Sequence, residues 1–166
     1  MNTFLQLKKT RVFAMLFALA LGITATASAE VLVTFATRAN NFNTTGSNVA
    51  VPLDDAAKTS LSFNTKAANK IVKITYNAEC GVIGPAQSWL SVRVLVDGVD
   101  AAPASGNLFG FCSSTSASSY AWVGATRQVI YKVPTAGAHT VQVIANLNAG
   151  ATSGWLGDTS IVIEQK

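Results

Sequence analysis

The chain has 166 residues, 49% of them hydrophobic and only 12% charged, with twelve Lys and Arg against eight Asp and Glu. Three of the basic residues, Lys8, Lys9 and Arg11, precede an apolar stretch over residues 12–24 that runs on to Ala27-Ser28-Ala29, the three-part pattern of a secretory signal peptide. Set that leader aside and nine basic residues face eight acidic ones, which leaves no basic stripe for a nucleic acid and no second apolar run long enough to span a bilayer.

Residues 1–29 are therefore read as a signal peptide. Their apolar run is too short for a comfortable membrane span, which needs about 20 residues. The mature chain is expected to start at Glu30, with residues 30–166 as one domain. Export places Cys80 and Cys112 in an oxidising compartment, where a pair of this kind becomes a disulfide. With no histidine near either cysteine, the pair makes a poor zinc site. Periplasm, cell surface and medium are not distinguished.

The mature sequence predicts strands and turns. Residues 31–36 are rich in β-formers; a polar loop follows over 38–47, and 48–53 form a short strand broken by Pro52. Residues 59–64 alternate Leu61 and Phe63 with Ser60 and Ser62, the mark of a half-buried strand. Over 71–80, Val72, Ile74, Tyr76 and Ala78 share one face and Lys73, Thr75, Asn77 and Glu79 the other. Over 89–96, Leu90, Val92, Val94 and Val96 point one way, and Asp97-Gly98 makes a turn into a short return strand at 99–101. Residues 102–119 read as a long Ala/Ser/Gly-rich loop carrying one short strand that the disulfide pins. Brief pairing is expected at 120–123, then strands at 126–133 and 139–147. A glycine-rich loop over 148–154 leads to Trp155, and the last strand is 159–164. No segment has a 3.6-residue apolar stripe. Eight to ten short strands with turns between them predict an all-β, antiparallel two-sheet sandwich of jelly-roll type, with an immunoglobulin-like order as the alternative.

Three stretches carry a resemblance: Val94-Leu95-Val96-Asp97-Gly98, Gly137-Ala138-His139-Thr140-Val141-Gln142-Val143 and Asp158-Thr159-Ser160-Ile161-Val162-Ile163-Glu164. They resemble a loose group of secreted bacterial β-sandwich proteins. Similar hairpins occur in carbohydrate-binding modules and in the trimeric jelly rolls related to tumour necrosis factor. The resemblance implies a binding or structural role and supplies no catalytic residue.

The residues themselves give little support to an enzyme. His139 is the single histidine. It opens a strand beside a turn, and no G-x-S-x-G elbow accompanies it. Glu79, beside Cys80, is the acid most suited to a partly buried role; its plainer reading is an exposed strand residue. Calcium is the one cofactor the residues suggest, because Asp54 and Asp55, and Asp97 with Asp100, lie in or near turns. Turn aspartates more often simply cap their turns. Asn43-Thr44-Thr45 matches the N-glycosylation triplet, which matters only in a host that glycosylates its secreted proteins.

The aromatic residues give the best lead to function. Trp89, Trp122 and Trp155, with Tyr120, fall at strand ends or in loops. Flat rings stack on the C–H faces of sugars while neighbouring Asn148, Asn146, Gln87 and Asp158 could bond the hydroxyls. In the competing arrangement the tryptophans plug the ends of the core. Three functions follow, in order of preference: a secreted non-catalytic binding module for carbohydrate, a self-associating surface protein, and a small glycoside hydrolase. They predict clustered exposed tryptophans, an apolar outer patch or free sheet edge, and two convergent acids, respectively.

Overall fold

The computed structural model describes residues 32–165, so the expected leader at 1–29 lies outside the described residues. The elements are β1 (Leu32–Arg38), β2 (Phe42–Thr44), β3 (Val49–Ala50), β4 (Leu61–Thr65), β5 (Ile71–Ile83), β6 (Trp89–Val96), β7 (Val99–Asp100), β8 (Gly110–Ser113), β9 (Val123–Lys132), β10 (Gly137–Asn148) and β11 (Ser153–Gln165), with a single 3₁₀ turn at Gly106–Leu108. Among the described residues no helix is long and apolar enough to cross a membrane.

The strands form two antiparallel sheets. One has the order β1-β11-β5-β9, with β2 continuing along β11 beyond the end of β1; the other has the order β3-β10-β6-β7, with β4 also along β10 and β8 along β6. The chain passes from one sheet to the other at nearly every long connection: β4 to β5, β5 to β6, β8 to β9, β9 to β10 and β10 to β11. This is the double Greek key of a jelly roll, and the immunoglobulin-like alternative does not describe it.

Side-chain alternation produces this arrangement. Val72, Ile74, Tyr76, Ala78 and Cys80 of β5 and Leu90, Val92, Val94 and Val96 of β6 are all buried between the sheets. Each fully buried aliphatic side chain contributes roughly 1.5–3 kcal/mol relative to exposure. On the outer face of β5, Lys73, Thr75 and Asn77 are half-exposed and Glu79 is exposed. Asp97 and Gly98 both have positive φ, 50° and 81°, as the two central residues of a type I′ hairpin require. Cys80 of β5 and Cys112 of β8 form the expected disulfide, with Cα atoms 6.1 Å apart, and so tie one sheet to the other.

Four expectations need correction. The polar loop at 38–47 contains β2, whose three residues pair with β11 from Leu156↔Phe42 to Gly154↔Thr44. Residues 48–53 pair only over Val49–Ala50, although Val51 still donates to Val143 O at 2.9 Å before Pro52 ends the ladder. Pairing into β9 starts at Val123, so Tyr120 and Trp122 lie outside it. Trp155 lies within a strand, because β11 begins at Ser153 and continues for 13 residues across an irregularity between Gly157 and Ser160.

Candidate functional site

The register brings four connections to one end of the sandwich. Trp89 is opposite both Asn148 and Ser113, Ser153 is opposite Ile83, Gly154 opposite Thr44, and Cys80 opposite Val123. The segments 45–48, 84–88, 114–122 and 149–152 therefore converge there. None of them contains Lys, Arg, Asp, Glu or His. They consist of Ser, Thr, Asn, Gln, Gly, Ala and Pro with Tyr120 and Trp122.

Three rings gather at this end on the outer face of the five-stranded sheet. Tyr120 stacks on Trp155 with centroids 4.3 Å apart and planes 16° from parallel. Trp122 meets Tyr120 edge-on, at 5.4 Å and 90°. Two glycines create the space. Gly81 is the cross-strand partner of Trp155, and a Cβ built on Gly81 would lie 2.5 Å from Tyr120 Cδ2. The Tyr120 ring thus occupies the place where residue 81 would otherwise carry a side chain. A Cβ on Gly157 would meet Asn41 Oδ1 at 2.5 Å and Trp122 Cη2 at 3.6 Å. Stacked and edge-on pairs at these separations add to area burial. Tyr120 and Trp122 nonetheless stay 38% exposed each.

The segment that carries Tyr120 and Trp122 is fastened at its root. Ser114 Oγ donates to Gly84 O and Ser116 O, both at 2.8 Å, and Ser114 N donates to Ser88 O at 2.8 Å. Thr152 N donates to Ile83 O at 2.8 Å. Gly84 sits where three segments meet, since a Cβ there would collide with Ser88 Oγ and lie 2.7 Å from Ala151 Cα. The segment also leaves β8 two residues after Cys112, so the disulfide holds its base.

Polar groups ring the aromatic cluster. Asn43 is opposite Trp155 on β2 and donates from Nδ2 to Gly154 O at 3.3 Å. Asn41 lies over Gly157, and Glu79 is opposite Gly157 on β5. All three are exposed. Sequence reasoning did not single out Asn41 or Asn43 for this role, and the glycines inside strands were the available signal, since they mark close approach of another group. Gln87 instead flanks Trp89, whose Nε1 donates to Asn107 O at 3.4 Å. Trp89 shares the end of the sandwich with the other rings, but it stands on the six-stranded sheet and outside the three-ring cluster. Asn146 and Asn148 serve the fold: buried Asn146 Oδ1 accepts from Asn48 N at 2.6 Å, and Asn148 Nδ2 donates to Ser91 Oγ at 3.1 Å. Asp158 is exposed at the β11 irregularity.

The four aspartates considered for calcium each have partners of their own. Asp54 Oδ1 accepts from Lys58 N at 2.9 Å. Asp55 Oδ1 accepts from Ala39 N at 3.1 Å and Asn40 Nδ2 at 3.0 Å. Asp100 accepts a bidentate pair from Arg93, at 3.0 and 2.8 Å. Asp97 Oδ1 accepts from Thr140 N at 2.8 Å, and its Oδ2 faces His139 Nδ1 at 2.7 Å. Burial pushes the Asp97 carboxyl up, but the bonds from His139 and Thr140 outweigh it and hold the group below its ordinary value. Among the described residues no group of three His, Cys, Asp or Glu comes together to hold a metal. His139 itself is 3% exposed, and its Nε2 lies 3.1 Å from Thr135 O. With both ring nitrogens engaged, it ties β10 to two turns and presents no face to a substrate.

No protein-family model matches the chain, and no curated protein matches it. Distant likenesses to solved structures are found. The C-terminal domain of EclA, a sugar-binding protein, is 16% identical with a TM-score of 0.36, over 86% of this chain and 85% of that one. The CBM22-1 xylan-binding domain of Xyn10C from Paenibacillus barcinonensis is 13% identical with a TM-score of 0.34, over 78% and 80%. The VP2 protein of infectious bursal disease virus is 10% identical with a TM-score of 0.45, over 82% of this chain. The chain spans only 32% of that VP2 chain. At these identities and scores the likeness carries no argument about this chain.

Proposed function

We propose that the domain is an exported, non-catalytic carbohydrate-binding module whose platform is Tyr120, Trp122 and Trp155. The observation that carries this reading is the placement of the rings. They cluster outside the core, on a sheet face, at an end whose connecting segments are wholly uncharged. Apolar ring faces suit the C–H faces of a pyranose, and Asn41, Asn43 and Glu79 stand within the same patch to meet its hydroxyls. Small neutral side chains with Tyr and Trp anchors are also the composition that recognition loops favour, because large rigid rings lose little conformational entropy on binding. A catalytic role has less support. His139 is consumed by the fold, and although Asp55 and Asp158 border one shallow depression, Asp55 is already bonded to the backbone at 39–40.

A screen of the oxidised protein against polysaccharides and oligosaccharides, read by tryptophan fluorescence, tests this reading. Saturable binding is expected for at least one glycan, with Trp155→Ala and Trp122→Ala each weakening it about thirtyfold, the size of an aromatic hot spot. Absence of binding to every glycan, or binding indifferent to both substitutions, would overturn it.

Self-association is the second reading, and one observation favours it. Val33 and Phe35 are 54% and 68% exposed on the outer face of β1, which pairs with β11 alone and so has a free edge. Its readout is the mass in solution: a concentration-dependent oligomer dispersed by Phe35→Lys would support it.

A further inference from the structure

The row of side chains next to the platform suggests which glycans it takes. Along the outer face of the five-stranded sheet, Thr37, Ser160, Asn77 and Thr126 form one cross-strand row, with Thr126 Oγ1 donating to Asn77 Oδ1 at 2.7 Å and Asn77 Nδ2 donating to Ser160 Oγ at 3.2 Å. The next row reads Gly157, Glu79, Gly124, and the one beyond it holds Trp155 and Gly81. Glu79 thus has a glycine on each side. Trp122 covers the Gly157 side, whereas a Cβ on Gly124 would meet nothing within 4 Å. The result is a slot with Trp122 and Asn41 at one wall, a polar row along another, and an exposed carboxylate whose Gly124 side is open.

Among the described residues, no hydrogen-bond donor or cation is bonded to Glu79. Lys73 on the same strand face is six residues away, about 20 Å at strand rise, and is paired with Glu164 at 2.5 Å. Arg38 of β1 is buried and spent on Pro52 O, Leu156 O and Asn40 O. Asp158, exposed beside Gly157, adds charge of the same sign. The four converging segments contribute no charge at all. A cation placed in this slot would meet a carboxylate, would be attracted by Trp122 wherever it reaches the ring face, and would displace no existing partner.

Resting on the carbohydrate-binding reading above, we propose that the ligand carries ammonium groups: a glycan with free amino sugars, one of whose amines sits on Glu79 while a neighbouring ring stacks on the platform. Neutral glycans gain the stacking and the hydroxyl contacts but no ion pair, and uronate or sulfate polymers are repelled.

The experiment compares oligomers of glucosamine, N-acetylglucosamine and glucose, together with an oligouronate, titrated into the protein at about pH 6, where a primary amine is charged, and at low salt. Glucosamine oligomers are expected to bind about tenfold tighter than their N-acetylated counterparts, the combined size of an exposed ion pair and a cation–π contact. High salt should shrink that preference. Glu79→Gln should cut that preference to about threefold or less, and Trp155→Ala should weaken every ligand. Gly124→Val, which fills the open side of the slot without touching its charge, gives a second route: it should weaken the amino-glycan most. A preference unchanged in both Glu79→Gln and Gly124→Val, or equal binding of the amino, acetylated and acidic oligomers, would overturn the ammonium site and leave the platform standing. Absence of binding to any of them would remove both.

Discussion

The two ends of the sandwich are built from different chemistry. At one end, segments 45–48, 84–88, 114–122 and 149–152 carry no charged residue, and all three tryptophans of the chain lie there with Tyr120. At the other end, the turns at 66–70, 97–98 and 133–136 hold Lys66, Lys70 and Asp97, with His139 at the start of β10. There, charge fastens one turn, as Asp97 bonds His139 and Thr140 of β10, while Asn69 N to Val133 O and Val133 N to Lys70 O, at 2.8 and 2.9 Å, join the 66–70 and 133–136 turns. The uncharged end is fastened by serine hydroxyls, backbone bonds and a disulfide, and this leaves its rings available. Neutral fastening suits the proposed binding surface, because it leaves exposed Glu79 and Asp158 as the fixed charges nearest the rings, while the ionic end needs only to close.

Breaking the fastening of the uncharged end should have the largest effect. Cys80–Cys112 closes a separation of 32 residues, worth about 3–4 kcal/mol on the chain-entropy model. The double substitution Cys80→Ala, Cys112→Ala is expected to lower the unfolding free energy by that amount in urea titrations. Below the new midpoint it should also weaken glycan binding, because the segment bearing Tyr120 and Trp122 leaves β8 just beyond Cys112. A variant that lost stability yet bound glycan with full affinity would show that the serine bonds alone position the rings.

Gly81→Ala separates the platform from the fold. The new methyl would stand 2.5 Å from Tyr120 Cδ2, and Tyr120 sits on a surface segment that can yield. Stability should change by no more than about 1 kcal/mol, since the strand gains a better β-former as the ring is displaced. Binding should fall about tenfold as the stack on Trp155 opens, the worth of an aromatic pair. Unchanged affinity in Gly81→Ala would mean that Tyr120 is not part of the binding surface.

Much of this molecule can be read from residue order, and the parts that cannot share one cause. β5 and β6 are legible because Val72, Ile74, Tyr76 and Leu90, Val92, Val94 alternate cleanly with polar residues. The disulfide is legible because two cysteines leave one possible pairing. The grouping of Tyr120, Trp122 and Trp155 is only half legible. Their position near strand ends is visible, but their contact depends on Gly81 and Gly157, residues that propensity marks as loop formers and that tertiary packing uses as gaps. The same effect hid the first half of β11, where Gly154 faces Leu147 Cδ2 and Leu90 Cδ1 at 3.0 and 3.1 Å from its would-be Cβ. β2 was hidden by Asn43 and the asparagines just before it, which read as loop, although Asn43 pairs opposite Trp155. Asp97 and Asp100 were legible as turn residues, while His139 lies 42 residues from Asp97 and the Arg93–Asp100 pair depends on the register of the hairpin.

The smallest predicted effect belongs to the ionic end and probes whether the two ends are independent. Asp97 titrates below its ordinary value in the folded protein. Its contribution to stability is therefore complete above its unfolded value of about 3.9 and is lost as pH falls through the lower folded value. Its side chain is 39% exposed, and screening by water keeps the contribution within about 1 kcal/mol. Asp97→Asn should accordingly melt below the wild type at pH 5 to 7 by a few degrees at most, and the gap should close at about pH 2, where both carry a neutral side chain. Glycan affinity at neutral pH should be the same in the two proteins. A melting gap that persists in acid would assign the loss to packing in place of charge, and a change in affinity would show that the turn held by Asp97 and His139 is felt at the aromatic end of the sandwich.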